Sequence, residues 1–175
     1  MCEIKFTINI IPTAQMRARH FAKKTKTGKM FSGTYKHPDQ DRNEEQLMQI
    51  LERYRPEKPL AGPVILGVTA YLPIPQSKSD WWKEAAEKQH IFPITKPDLD
   101  NLIKNIKDCM TQLCFWNDDS QVIGYDRPVK FYSINPRWEI TLREVWQPRT
   151  KKEYMEKIGT GLTLDVVLNQ MELKI

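Results

Sequence analysis

Two short acidic groups are the parts of this chain best equipped for chemistry. The first lies in KPDLDNLIKNIKDCM, where Asp98 and Asp100 bracket Leu99, and Lys104 and Asp108 follow at intervals of four. At about 100° of rotation per helical residue, Asp100, Lys104 and Asp108 rise along one face, away from Leu102, Ile106 and Met110. The second group is FWNDDSQV, with Asp118 and Asp119 adjacent in a polar turn. Adjacent carboxylates repel each other, and a cation or basic neighbour relieves that repulsion. If the turn packs beside the start of the helix, Asp98, Asp100 and one of the pair form a hard oxygen site. Such a site suits magnesium or manganese and is a poor match for zinc. His20, His37 and His90 show no zinc-site spacing. A divalent ion held this way activates water and neutralises the charge that builds up in phosphodiester hydrolysis. Lys104, one turn beyond Asp100, is placed to stabilise a phosphate electrostatically.

Each of these residues also has a purely structural use. Aspartates in a first helical turn satisfy free backbone N–H groups and suit the positive end of the helix dipole. Lys104 has i,i+4 partners in Asp100 and Asp108, pairs worth only about 0.2–0.5 kcal/mol. N-D-D-S is good turn chemistry. Residue types alone leave both readings open, and convergence of the two acidic groups decides between them.

The elements that must position these groups are read from periodicity. Residues 3–11 form a strand ended by Pro12, and the polar, basic stretch 12–40, with Gly28 and Gly33, reads as a long loop or hairpin. Leu47, Met48, Ile50, Leu51 and Tyr54 mark an amphipathic helix over 43–54, closed by Pro56. VILGVTAYL is a core strand over 64–72. Ser79 caps a helix carrying Trp81 and Trp82, and 91–97 is a linker. Leu99, Leu102, Ile103, Ile106, Met110 and Leu113 recur at spacings of three and four, the clearest helix in the chain. Two strands follow, 122–132 and 138–145, with Pro128 predicting a bulge or early stop. Beyond Pro148 a charged helical piece precedes GLTLDVVLNQMELKI, which reads equally as helix or strand. Together these elements give an α+β (mixed α/β) fold, a single mixed β-sheet with helices packed against it.

Composition narrows the class. A chain of 175 residues is one domain of ordinary size and buries enough surface to stand without disulfides. Cys2, Cys109 and Cys114 form no C-x-x-C pair, and Cys109 and Cys114 are expected as buried thiols. The opening CEIKFTINII lacks signal-peptide character, and no apolar stretch approaches the roughly 20 residues of a membrane span. A protein in solution inside a cell is expected. The net charge of +5, from 27 Lys plus Arg against 22 Asp plus Glu, is a weak signal. Its distribution says more: no acidic residue lies between Ile4 and Pro38, while Arg17, Arg19, Lys23, Lys24, Lys26, Lys29 and Lys36 are all basic. Such a run is either a solvated arm or a set of phosphate contacts.

The order of residues carries a further signal. An aspartate pair, an asparagine, a lysine four residues beyond Asp100, a further aspartate, then W-x-D-D-x-Q-V and Lys130 resemble the RusA family of Holliday junction resolvases. The resemblance is close over the middle third of the chain and looser in the flanking strands. Pro12 followed by Arg17 and Arg19 is similar to that family's basic segment, and NPRWEITL to the closing strand of many phage and prophage members. The resemblance implies catalytic, metal-binding carboxylates at Asp98, Asp100 and Asp119, an essential lysine at Lys104, and secondary acidic positions at Asp108 and Asp118. It also implies a homodimer that binds four-way DNA junctions and introduces paired nicks with magnesium or manganese, in the cytoplasm of a bacterial cell, encoded by host, prophage or phage. Arg17, Arg19, Lys23, Lys24, Lys26, Lys29 and Lys130 then become expected DNA contacts. A nuclease of the same fold acting on flaps or replication forks is the neighbouring alternative. A non-catalytic DNA-binding protein, whose carboxylates only cap and turn, is the other. A resolvase-like domain is expected over 1–147 and a C-terminal extension over 148–175. The insert at 73–97 adds Trp81, Trp82 and His90, and its tryptophans are expected to pack in the core or an interface.

Overall fold

The computed structural model describes residues 3–15, 19–25, 28–35 and 38–158, with Arg19, Tyr35 and Ile158 described in their backbone alone. Contacts divide the chain into two units, Met1–Val145 and Trp146–Ile175. In chain order the first unit contains β1 (Glu3–Ile8), β2 (Arg19–Lys24), β3 (Met30–Tyr35), α1 (Pro38–Leu51), β4 (Val64–Pro73), α2 (Asp80–Glu87), α3 (Leu99–Gln112), β5 (Val122–Ser133) and β6 (Arg137–Glu144).

Four strands form one mixed sheet in the order β1-β6-β4-β5, and β2 and β3 form a separate two-stranded ribbon. β6 is antiparallel to both β1 and β4, whereas β4 and β5 run parallel. A parallel pair needs a long crossover, and α2, the linker and α3 supply it. The direction of α3 follows. Its start is tied to the far half of β5, where the Lys130 ammonium donates to the Pro97 carbonyl. Its end is tied to the segment before β4, where Leu60 bridges to Trp116.

One apolar core joins the sheet to α1 and α3. Leu47 and Leu51 of α1, and Leu102, Ile106 and Met110 of α3, are buried against Leu66, Val68, Ala70, Trp138, Ile140 and Leu142. Helix α1 begins at Pro38, five residues before the expected start at Asn43. Its first turns bury polar groups, Gln40 and Glu44, beside Asn105 of α3, so hydrophobic spacing does not reveal them. Pro128 does accompany a bulge: the β4–β5 register shifts between Gly67 and Thr69, and Arg127 has φ +44°.

Helix α3 ends in a Schellman motif. The Cys114 N–H bonds the Thr111 carbonyl and the Phe115 N–H bonds the Met110 carbonyl, with Cys114 left-handed at φ +57°. That reversal turns Phe115 into the core and leaves Cys114 exposed, correcting the expectation of a buried thiol; Cys109 is buried. In the second unit α4 (Lys151–Ile158) follows Thr150, whose hydroxyl accepts the Glu153 N–H at 3.1 Å. The stretch GLTLDVVLNQMELKI lies outside the described residues. Among the described residues no helix is long and apolar enough to cross a membrane.

Candidate active site

At the start of α3 the two aspartates are not spent on the helix. Asp98 occupies the N-cap position with extended backbone, φ −72° and ψ 142°, yet its carboxylate makes no capping hydrogen bond. Its one hydrogen-bond contact among the described residues is with Asn101, whose Nδ2 lies 3.5 Å away. Asp100, in the first turn, is exposed and forms no hydrogen bond or ion pair there. Lys104 is exposed and makes no ion pair with either Asp100 or Asp108. So neither the capping role nor the surface-pair role predicted for these residues is taken up. What holds this end in place is Lys130, whose Nζ donates to the Thr95 and Pro97 carbonyls at 2.8 Å each. Lys130, a residue of the expected DNA-contact set, thus fastens the backbone that leads into Asp98.

The turn after α3 treats its pair of carboxylates differently. Asp118 caps the short Asp119–Gln121 turn by accepting the Ser120 N–H at 2.8 Å. Hydrogen bonds from the Ser120 side chain and backbone hold its carboxyl below the ordinary aspartate value. Gln121 organises the whole turn. Its Oε1 accepts the Asn117 and Asp118 N–H groups at 2.8 and 3.1 Å, while its Nε2 donates to the Leu60 and Gly62 carbonyls at 3.0 and 2.9 Å. Asp119 is left to face α3, where its carboxylate meets Lys107 at 3.1 Å.

Between these ends, Asp108 accepts a 2.8 Å hydrogen bond from Gln15 Nε2 and Asn105 Nδ2 donates to the Thr13 carbonyl at 2.8 Å. These bonds lay the segment after β1 along α3. Asp108 therefore anchors the approach of the basic stretch, a structural duty rather than an outward-facing one.

The acidic groups do not converge. Among the described residues no three His, Cys, Asp or Glu side chains lie close enough to share a metal ion. Lys107, the partner of Asp119, stands seven residues along from Asp100, about 10 Å of helical rise. The donor chemistry of the first pair nevertheless fits magnesium, which keeps several waters and is commonly bound through one or two carboxylates plus substrate phosphate. Asp98 and Asp100 supply two exposed carboxylates. On the same stripe of α3, Lys104 and Lys107 follow Asp100 at four and seven residues, so two ammonium groups separate the acidic poles.

Lys23, Lys24 and Lys29 are exposed on the β2–β3 ribbon. Arg17 and Lys26 lie outside the described residues. Trp82 is half-buried and packs edge-on against Tyr132, at 5.4 Å between centroids, whereas Trp81 is 68% exposed, so core packing does not hold for Trp81. Sequence reasoning assigned no role to Lys107 or Gln121. Helical phase offered a signal for Lys107, which shares the stripe of Asp100. Gln121 stood inside the quoted motif, but its partners at Leu60 and Gly62 are too distant in the chain to be inferred locally.

The family model for endodeoxyribonuclease RusA matches residues 8–143, a span that contains both acidic groups and both lysines. The chain is 39% identical over 145 residues to the uncharacterized protein YqaN of Bacillus subtilis (strain 168), covering 81% of this chain and 96% of that protein. It is 37% identical over 83 residues to the crossover junction endodeoxyribonuclease rusA of Lactococcus phage r1t, covering 47% of this chain and 56% of that protein.

Proposed function

Because this chain belongs to the RusA endodeoxyribonuclease family, we propose that it resolves four-way DNA junctions by paired, magnesium-dependent nicks. The observation that carries the reading is the start of α3, where Asp98 and Asp100 keep their carboxylates uncommitted one turn from Lys104. These two residues would hold the metal, with manganese able to substitute. When bound, the metal supplies activation of the attacking water and neutralisation of the leaving oxygen. Lys104 places its ammonium against a non-bridging phosphate oxygen and stabilises the charge that grows there. The N–H groups of the first helical turn add a fixed positive field on the same side. Asp119, the third carboxylate of the family pattern, enters this reading only after leaving Lys107. Lys130 acts on the site through the 95–97 backbone, which sets where Asp98 stands.

A four-way junction has two-fold symmetry, and two symmetric cuts call for two copies of the site, which supports a homodimer. The basic stretch supplies phosphate contacts that raise affinity and salt dependence more than base specificity. The test is cleavage of an immobile four-way junction in magnesium, with cut sites mapped on all four strands. Paired nicks placed symmetrically across the branch are expected. Equal cutting of linear duplex overturns the reading, and faster cutting of flaps or forks replaces the substrate.

A further inference from the structure

The β2–β3 ribbon is the region that the site on α3 explains least. Among the described residues its strands pair only with each other, from Arg19↔Tyr35 to Lys24↔Met30. A two-stranded ribbon that joins no larger sheet is marginally stable in water. This one also keeps large apolar side chains in solvent, with Phe31 60% and Met30 65% exposed. Its register puts Phe21, Lys23 and Phe31 on one face and Lys24 and Met30 on the other. On the first face the Phe21 and Phe31 rings meet at 5.8 Å between centroids. Gly33, opposite Phe21, admits that arrangement, since a Cβ there would lie 2.8 Å from the Phe21 ring. Phe31 is thus an exposed ring braced from behind, with exposed Lys23, Lys24 and Lys29 around it.

An exposed ring set among cations fits a ligand that offers π-faces and negative charge together. Nucleic acid does so wherever stacking is interrupted, whereas a continuous duplex hides its base faces. We propose that the ribbon reads the branch point, its lysines holding phosphates while Phe31 stacks on a base left unstacked where duplex arms meet. Met30, on the opposite face, offers a second apolar contact of the kind used to wedge base steps apart. This inference rests on the junction-nuclease reading and deepens it: selectivity for branched DNA resides in the ribbon, apart from the carboxylates that cut.

The experiment uses the full chain and a four-way junction carrying 2-aminopurine beside the branch, with a linear duplex carrying the same label. Wild type is expected to raise fluorescence on the junction and to bind it more tightly than the duplex. Phe31→Ala should weaken junction binding about 10-fold and remove most of the fluorescence rise, with duplex binding kept within about twofold. Phe31→Trp should keep both signals. Unchanged junction binding and fluorescence in Phe31→Ala overturn the inference alone. So does equal loss of duplex and junction binding, or a change in oligomeric state, which would make Phe31 a scaffold or subunit contact. Preference of the wild type for anionic phosphatidylserine vesicles over the junction overturns it in favour of a lipid surface. If wild type shows no junction preference, the junction reading and this inference fall together.

Discussion

The two ends of α3 carry equal numbers of nearby carboxylates and use them in opposite ways. At the start, Asp98 stands at the cap position without capping, and Asp100 has no partner among the described residues. At the far end, Asp118 is committed to the Ser120 N–H and Asp119 to Lys107. The difference teaches that an aspartate in a capping or turning position does not reveal its duty by type or place. Free N–H groups at a helix start tolerate uncommitted negative charge, whereas two adjacent carboxylates in a turn must be neutralised by something. In this chain a serine and a lysine share that work.

The largest expected effect tests the uncommitted end. Asp100→Asn should lower junction cleavage by about 100- to 1000-fold, the size seen when a group stabilising transition-state charge is removed, while gel-shift affinity for the junction is retained. Full cleavage would place the chemistry elsewhere. Next, Asp119→Asn should reduce cleavage much more than Asp118→Asn, whereas Asp118→Asn should lower the melting temperature more. Equal effects on both readouts would erase the division of labour between the pair. Lys104→Ala should cut turnover by about 10- to 100-fold and leave magnesium affinity by calorimetry unchanged; a large fall in affinity would make Lys104 part of the scaffold.

The smallest effect is one of pH. The Asp118 carboxyl is held below its ordinary value, chiefly by the Ser120 side chain and then by its backbone N–H. A depressed folded-state value means that its stabilisation is fully present above the unfolded aspartate pKa. That stabilisation fades as pH falls through the folded value. Carboxyl NMR should find Asp118 titrating low in the wild type and closer to the ordinary value in Ser120→Ala. No movement in that variant would assign the shift to another cause.

Much of the architecture was legible beforehand because it is written in short-range periodicity. The apolar stripe of α3, the alternation of β1 and β6 and the bulge at Pro128 each depend on residues a few positions apart. Both acidic groups were found in the same way, from spacing. Their relation to each other was not legible: the helix separates them, and Lys107 rather than a shared cation meets Asp119.

Sequence by itself determined where the two acidic groups lie, which face of α3 carries Asp100 and Lys104, and which family pattern they follow. Tertiary structure alone decided their partners. Lys130 was made a clamp on the 95–97 backbone, and Gln121 the tie between the acidic turn and Leu60 and Gly62. The physical reason is range. Helical and strand faces follow from local backbone geometry, but a hydrogen bond between residues dozens of positions apart exists only once parallel β4 and β5 fix the register that brings them together.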